Sequence, residues 1–82
     1  MPVTREEVFS KVAAIIAKHF EINAEDVKEH TNIKDDLNAD SISVMEFVLE
    51  LEDEFGTEIS DEDAEKIETV GAAVDYIASH LA

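Results

Sequence analysis

Asp40-Ser41-Ile42-Ser43-Val44-Met45-Glu46-Phe47-Val48-Leu49-Glu50-Leu51-Glu52-Asp53-Glu54-Phe55-Gly56 is the stretch that decides the fold. Both ends carry helix punctuation. Asp40 or Ser41 serves as the N-cap, and Gly56 suits the left-handed residue just past the C-terminus. The spacing predicts a helix from Ser41 or Ile42 to Phe55. With 100° per residue and Ile42 at 0°, Phe47, Leu51, Val44, Phe55 and Val48 fall between about 140° and 240°. That arc is the predicted core face. Ile42, Met45 and Leu49 fall on the other side, between about 300° and 0°, bordered by Glu46, Glu52 and Asp53. A helix in a soluble monomer needs one apolar face. The second stripe is either incidental exposure, which is normal for scattered residues, or a docking surface. In the second reading it has an apolar centre and an acidic rim, and suits a partner with a basic rim.

Outward from this helix, the rest of the chain reads as helices too. Thr4 with Glu7 three residues later is a capping box for a helix from Arg5 to His19. Val8, Val12, Ile15 and Ile16 share one face of it. Residues 21–40 lack sustained periodicity, and Ile22, Val27, Ile33 and Leu37 are spaced as anchors for a long loop. Loops this long in small domains are often functional. Downstream, Ser60 with Asp63 caps a short helix ending near Ile67. Thr69 caps another from Val70 to Leu81, with Val70, Ala73, Val74, Ile77 and Leu81 on its inner face. No strand pattern appears. The expected fold is all-α: a small four-helix bundle of three longer helices, one short third helix and a long first loop.

The chain has 82 residues, which bounds it to a single domain over residues 1–82. It carries 21 Asp and Glu against 6 Lys and Arg, a formal charge of −15. Such a chain repels phosphate backbones and anionic membrane surfaces, so neither nucleic acid nor membrane is an expected partner. Basic protein surfaces are. Because 45% of residues are hydrophobic, the acidity does not imply a disordered tail. There is no Cys, hence no disulfide, thiolate nucleophile or Cys-built zinc site. No signal or transit pattern opens the chain and no apolar run spans a bilayer, so the expected location is cytoplasmic.

The charge is concentrated. Residues 1–34 hold six acids and five bases, whereas Asp35 to Glu65 holds thirteen acids and no Lys, Arg or His. Apolar residues interleaved with those acids argue for a folded acidic face rather than a disordered block.

Ser41 stands at the start of a helix, at the end of the long loop. Such a serine is most often an N-cap, yet the helix N-terminus also suits a phosphate group. Its sequence neighbours are acids, and His19, His30 and His80 lie elsewhere. No base is at hand to activate it, so any chemistry at Ser41 must come from another protein. Asp36, Asn38 and Asp40 match positions 1, 3 and 5 of an EF-hand loop, but Ser41 and Phe47 replace its Gly and Glu. No metal site is expected beyond weak, surface binding of divalent ions.

Asp36-Leu37-Asn38-Ala39-Asp40-Ser41-Ile42 resembles the Asp-Ser-Leu attachment motif of acyl carrier proteins. Leu51 to Ile67 is similar to the second and third helices of the bacterial fatty-acid type, and Val70 to Ile77 to the start of its last helix. The resemblance implies a non-enzymatic bundle with 4′-phosphopantetheine on Ser41, installed by a separate phosphopantetheinyl transferase. The arm's thiol would carry growing fatty acyl chains as thioesters and present them to fatty-acid synthesis enzymes with basic docking patches. The carrier is expected to be a monomer. It further implies a partner surface of Asp40, Ile42, Met45, Glu46, Leu49, Glu52 and Asp53, extended by Asp61 and Glu65. It implies an acyl-chain pocket of Val44, Phe47, Val48, Leu51, Ile59, Ala64, Ile67 and Tyr76, residues that would also make a plain core. Asn38 replaces the family's usual Gly but tolerates positive φ. Ile42 replaces Leu, Ser43 stands where Asp is frequent, and Phe47 stands where an aliphatic is usual and shortens the tunnel. Two alternatives remain: a carrier of another cargo, D-alanine or a polyketide, and an acidic protein-binding module without prosthetic group.

Overall fold

The computed structural model describes residues 4–37 and 39–81, with the side chain of Leu81 excepted. Asn38, where the family's glycine is expected, lies outside the described residues, as does the Leu81 side chain expected on the last helix's inner face. Four helices follow one another: α1 (Arg5–Phe20), α2 (Ser41–Phe55), α3 (Asp61–Lys66) and α4 (Val70–Leu81). The expected four-helix, all-α architecture is what the described residues form.

The helix starts follow the caps. Glu7 N–H donates to Thr4 Oγ1 (3.1 Å), Asp63 N–H to Ser60 Oγ (3.2 Å), and Ala72 N–H to Thr69 Oγ1 (3.1 Å). Each hydroxyl satisfies one of the N–H groups that the first turn of a helix leaves without a partner. At α2 the choice between Asp40 and Ser41 resolves to Asp40, whose Oδ1 accepts from Ser43 N–H (2.8 Å). Gly56 ends α2 at φ 63°, its N–H donating to the Glu52 carbonyl.

Two helix ends fall within one residue of the sequence reading, and packing explains where they stop. α1 extends past His19 to Phe20 and ends on Glu21, a non-glycine residue at φ 56°. The Phe20 ring, 6.3 Å from that of Phe47, packs on the core and holds the last turn in register. α3 stops at Lys66, because Ile67 leaves the helix for an extended conformation that turns its side chain into the core. The first loop also contains a short 3-10 turn, Ala24–Asp26, too brief to show a period.

α1 is the helix around which the others gather, packing along α4 and, to a lesser extent, α2. The core combines Val8, Val12, Ala13 and Ile16 of α1, Val44, Phe47, Val48 and Leu51 of α2, and Val70, Ala73, Val74 and Ile77 of α4. Ile15 and Phe55, also expected on inner faces, are half-buried at its edge. The long loop is pinned by Val27 and Ile33, both buried, with Ile22 and Leu37 half-buried. Its backbone also pairs with the entry to α4. Ile33 N–H donates to Glu68 O (2.8 Å), Val70 N–H to Thr31 O (3.0 Å), and Gly71 N–H to Glu29 O (2.8 Å). A Cβ at position 71 would come within 3.0 Å of the Glu29 carbonyl oxygen, so glycine is what lets the loop lie so close.

Candidate functional site

The turn over residues 32–36 delivers the chain to α2. Asn32 Oδ1 accepts from Lys34 N–H (2.9 Å) and Asp35 N–H (2.8 Å), and Asp36 Oδ2 accepts from Asn32 N–H (2.7 Å). These side-chain bonds close the turn locally. Ile33, fully buried, and the Ile33–Glu68 backbone bond anchor it to the rest of the bundle. Ser41 follows as the first residue of α2, exposed to solvent.

Asp40 accepts the Ser43 backbone N–H, and that bond, helped by the Ser43 hydroxyl, holds its carboxyl below the usual range. A carboxylate so stabilised is a poor base. Asp40 therefore builds the helix end without activating its neighbour.

From Ser41 a groove of about 400 Å³ runs between α2 and α3. Val44 and Val48 of α2, Ile59 and Ala64 give it apolar walls. Met45 and Leu49 form one lip, and Glu52, Asp61 and Glu65 are its acids. Lys34 lines it as well. Of the residues expected to hold an acyl chain, Val44, Val48, Ile59 and Ala64 meet in this groove. Phe47, Leu51 and Ile67 lie behind it, each no more than 3% exposed. Tyr76 is half-buried against the core, its hydroxyl donating to Asp63 Oδ2 (3.0 Å). The groove and the deeper residues are thus adjoining layers, not one open tunnel.

The outer face of α2 is exposed as the angular arithmetic requires. Ile42, Met45 and Leu49 stand 67%, 62% and 61% exposed, the large apolar residues that the core leaves uncovered among the described residues. The acids around them differ in freedom. Glu52 is half-buried, with Oε2 accepting the Ile59 backbone N–H (3.1 Å), so it ties the loop after α2 to the helix. Glu46 is exposed but lies 3.7 Å from Nε2 of His19, while Nδ1 of His19 lies 3.5 Å from Glu50. Asp53 lines a separate depression between α1 and α2, with Lys11, Lys18, Glu50 and Glu54 among its neighbours. Asp61 and Glu65 share the groove with Ser41. Sequence reasoning missed Lys34 and His19. Lys34's signal was its position, the last base before thirteen acids, and His19 had none beyond its place at the end of α1.

Residues 10–77 match the family model described as a phosphopantetheine attachment site. The chain is 54% identical over 78 residues to a protein named acyl carrier protein from Lactobacillus acidophilus, covering 95% of this chain and 98% of that one. The chain belongs to the acyl carrier proteins. A second protein of that name, from Lactobacillus johnsonii, is 50% identical with the same coverage. The fold is similar to a solved acyl carrier protein from Enterococcus faecalis, described for novel structural components contributing to its high thermal stability. That likeness has a TM-score of 0.81 at 80% identity and covers 94% of this chain and 98% of the other.

An acyl carrier protein is a carrier rather than a catalyst, and its prosthetic group is 4′-phosphopantetheine. The residues fit such a group. An exposed serine hydroxyl at the N-terminus of a 15-residue helix opens beside a groove with apolar walls. Among the described residues no cluster of His, Asp and Glu is arranged to hold a metal ion, and no helix is long and apolar enough to cross a membrane.

Proposed function

We propose that Ser41 carries the arm and that the protein bears growing fatty acyl chains on it for fatty-acid synthesis enzymes. One observation carries this reading: Ser41 is exposed at the head of α2 and lines the same groove as Val44, Val48, Ile59 and Ala64. The hydroxyl oxygen would attack the coenzyme A phosphorus nearer the pantetheine. The pyrophosphate bond breaks and the nucleoside bisphosphate leaves. The serine proton goes to a base of the transferase, since Asp40 is committed to its cap. When bound, the arm supplies a terminal thiol that holds the acyl group as a thioester.

The chain's own residues then orient the cargo and the partner. The groove walls shelter the first part of an acyl chain, and Phe47, Leu51 and Ile67 yield to a longer one. Ile42, Met45 and Leu49 form the centre of the docking surface, with Asp40, Glu46, Glu52, Asp53, Asp61 and Glu65 around it. Enzymes with basic patches approach this acidic face, drawn by long-range charge. The carrier works as a monomeric single domain in the cytoplasm.

Intact mass after incubation with coenzyme A and a phosphopantetheinyl transferase tests the attachment. Wild type should gain one phosphopantetheinyl group and Ser41→Ala none; a gain by Ser41→Ala would move the site elsewhere. Loading by a fatty-acid malonyltransferase, but not by a D-alanine ligase, then fixes the cargo class.

A further inference from the structure

We infer that Lys34 is the positioning residue for the base of the arm, its ammonium pairing with the phosphodiester and leaning the arm into the groove between α2 and α3. The inference rests on Ser41 being the attachment residue.

Three observations carry it. First, Lys34 and Ser41 line the same groove, and among the described residues Lys34 is the one base of its lining. The other charges there are Glu52, Asp61 and Glu65. Second, the backbone that presents Lys34 is fixed. Its N–H donates to Asn32 Oδ1, the turn is closed by Asp36, and neighbouring Ile33 is fully buried. The ammonium thus swings on a side-chain tether from a set point. Third, no other cation follows until Lys66, and thirteen acids lie between.

The physical consequence is a choice of direction. A phosphodiester at Ser41 adds one negative charge to an acidic groove. Without a counter-charge, repulsion from Asp61, Glu65 and Glu52 favours an arm that points to solvent. Lys34, lining the same groove, would offset the phosphate's charge and so favour an arm that follows the apolar wall of which Val44 and Ala64 are part. A lysine suits this task because it acts as a compact, mobile point charge. The pair is exposed to solvent, so its effect is modest: such pairs bias a two-state equilibrium by about 1.4- to 5-fold.

The test uses purified holo protein, with intact mass establishing first that Ser41 is loaded. Phosphorus NMR is recorded for wild type, Lys34→Gln, Lys34→Arg and, as a control outside the groove, Lys28→Gln. At about 0.01 M salt, where the screening length is about 30 Å, the Lys34→Gln resonance should be displaced from wild type. Lys34→Arg and Lys28→Gln should stay with wild type. At about 1 M salt, where the screening length is about 3 Å, all four should converge. Backbone amide shifts caused by loading at Val44, Ile59 and Ala64 should shrink in Lys34→Gln, by at most about 5-fold, at low salt. Loaded Lys34→Gln with a phosphorus resonance and groove shifts equal to wild type would overturn the Lys34 role alone. Failure of wild type to load would overturn the attachment reading and this inference together.

Discussion

The α1–α4 side and the α2–α3 side of the bundle are built on different terms. On the first, Val8, Val12 and Ile16 meet Val70, Ala73, Val74 and Ile77, all fully buried. Arg5 bonds both Glu29 and Asp75 (2.7 Å to the latter), joining α1, the long loop and α4 at one guanidinium. On the second side, α3 has six residues and none of them is fully buried. It is held by its Ser60 cap, by Ile59 and Ile67 at its flanks, and by the Tyr76–Asp63 bond. Charge divides the same way. Residues 1–34 contribute −1 and residues 35–65 contribute −13. The lesson is a separation of duties. Both sides feed the core, but the second also carries most of the charge and has as its wall α3, a helix with no fully buried residue of its own.

The largest test breaks the apolar side. Ile77→Ala should cost about 2–5 kcal/mol, through lost burial and the cavity left behind. A chain this small retains only roughly 3–5 kcal/mol from its core, so the variant should lose most of its stability. Ile42→Ala, the same chemical change on the exposed face of α2, should alter stability by no more than about 0.5 kcal/mol. Urea unfolding followed by circular dichroism compares them. Equal midpoints would abolish the distinction between the packed core and the exposed stripe of α2.

That contrast shows what the sequence made legible and what it did not. The helices were readable because side chains announce them: Thr4, Ser60 and Thr69 hydroxyls at their starts, Gly56 at an end, and a period that divided α2 into buried Phe47 and Leu51 and exposed Met45 and Leu49. The left-handed end of α1 was not, since Glu21 carries no residue preference for φ 56°. The loop's attachment to α4 was not, because its bonds run between backbone groups of Glu29, Thr31, Ile33, Glu68, Val70 and Gly71. In the site, Ser41 and the outer stripe were visible as motif and period. The tie from Glu52 to Ile59 and the place of Lys34 were not, because the first depends on how the segment after α2 folds back and the second on how the loop before α2 is anchored.

The second test is kinetic and concerns the acidic side. Glu46→Lys should slow association with a basic partner enzyme without lowering stability, and added salt should reduce the difference between variant and wild type. Stopped-flow association rates at two ionic strengths measure this. Rates independent of salt and of the charge at position 46 would remove electrostatic docking from the account. A third test reads the wall directly. Native-state hydrogen exchange should be faster in α3 than in the inner turns of α1 and α4, because α3 lacks buried side chains of its own. Acylation of the arm should then change exchange at Phe47, Ile59 and Ile67 if the deeper residues admit the chain. Unchanged exchange at all three would confine the cargo to the groove.

The smallest effect expected is an order of events in acid. Tyr76 and Ser60 hold the Asp63 carboxyl below its usual range, and the Ser43 backbone N–H does the same for Asp40. Arg5 lowers Glu29 on the other side. A carboxyl depressed in the folded state stabilises it above the unfolded pKa, and that contribution fades as pH falls through the folded value. These contributions therefore persist down to about pH 4 and vanish below it. Melting temperature should accordingly fall below about pH 4. The fall should begin at α3, where Asp63 links the helix to Tyr76 and little else is buried. Amide resonances followed through an acid titration would show α3 losing protection before α1. In Asp63→Asn, α3 should be less protected already at neutral pH, and its protection should no longer depend on the Asp63 titration. Simultaneous loss in both helices of wild type would mean that α3 is bound to the bundle as firmly as α4.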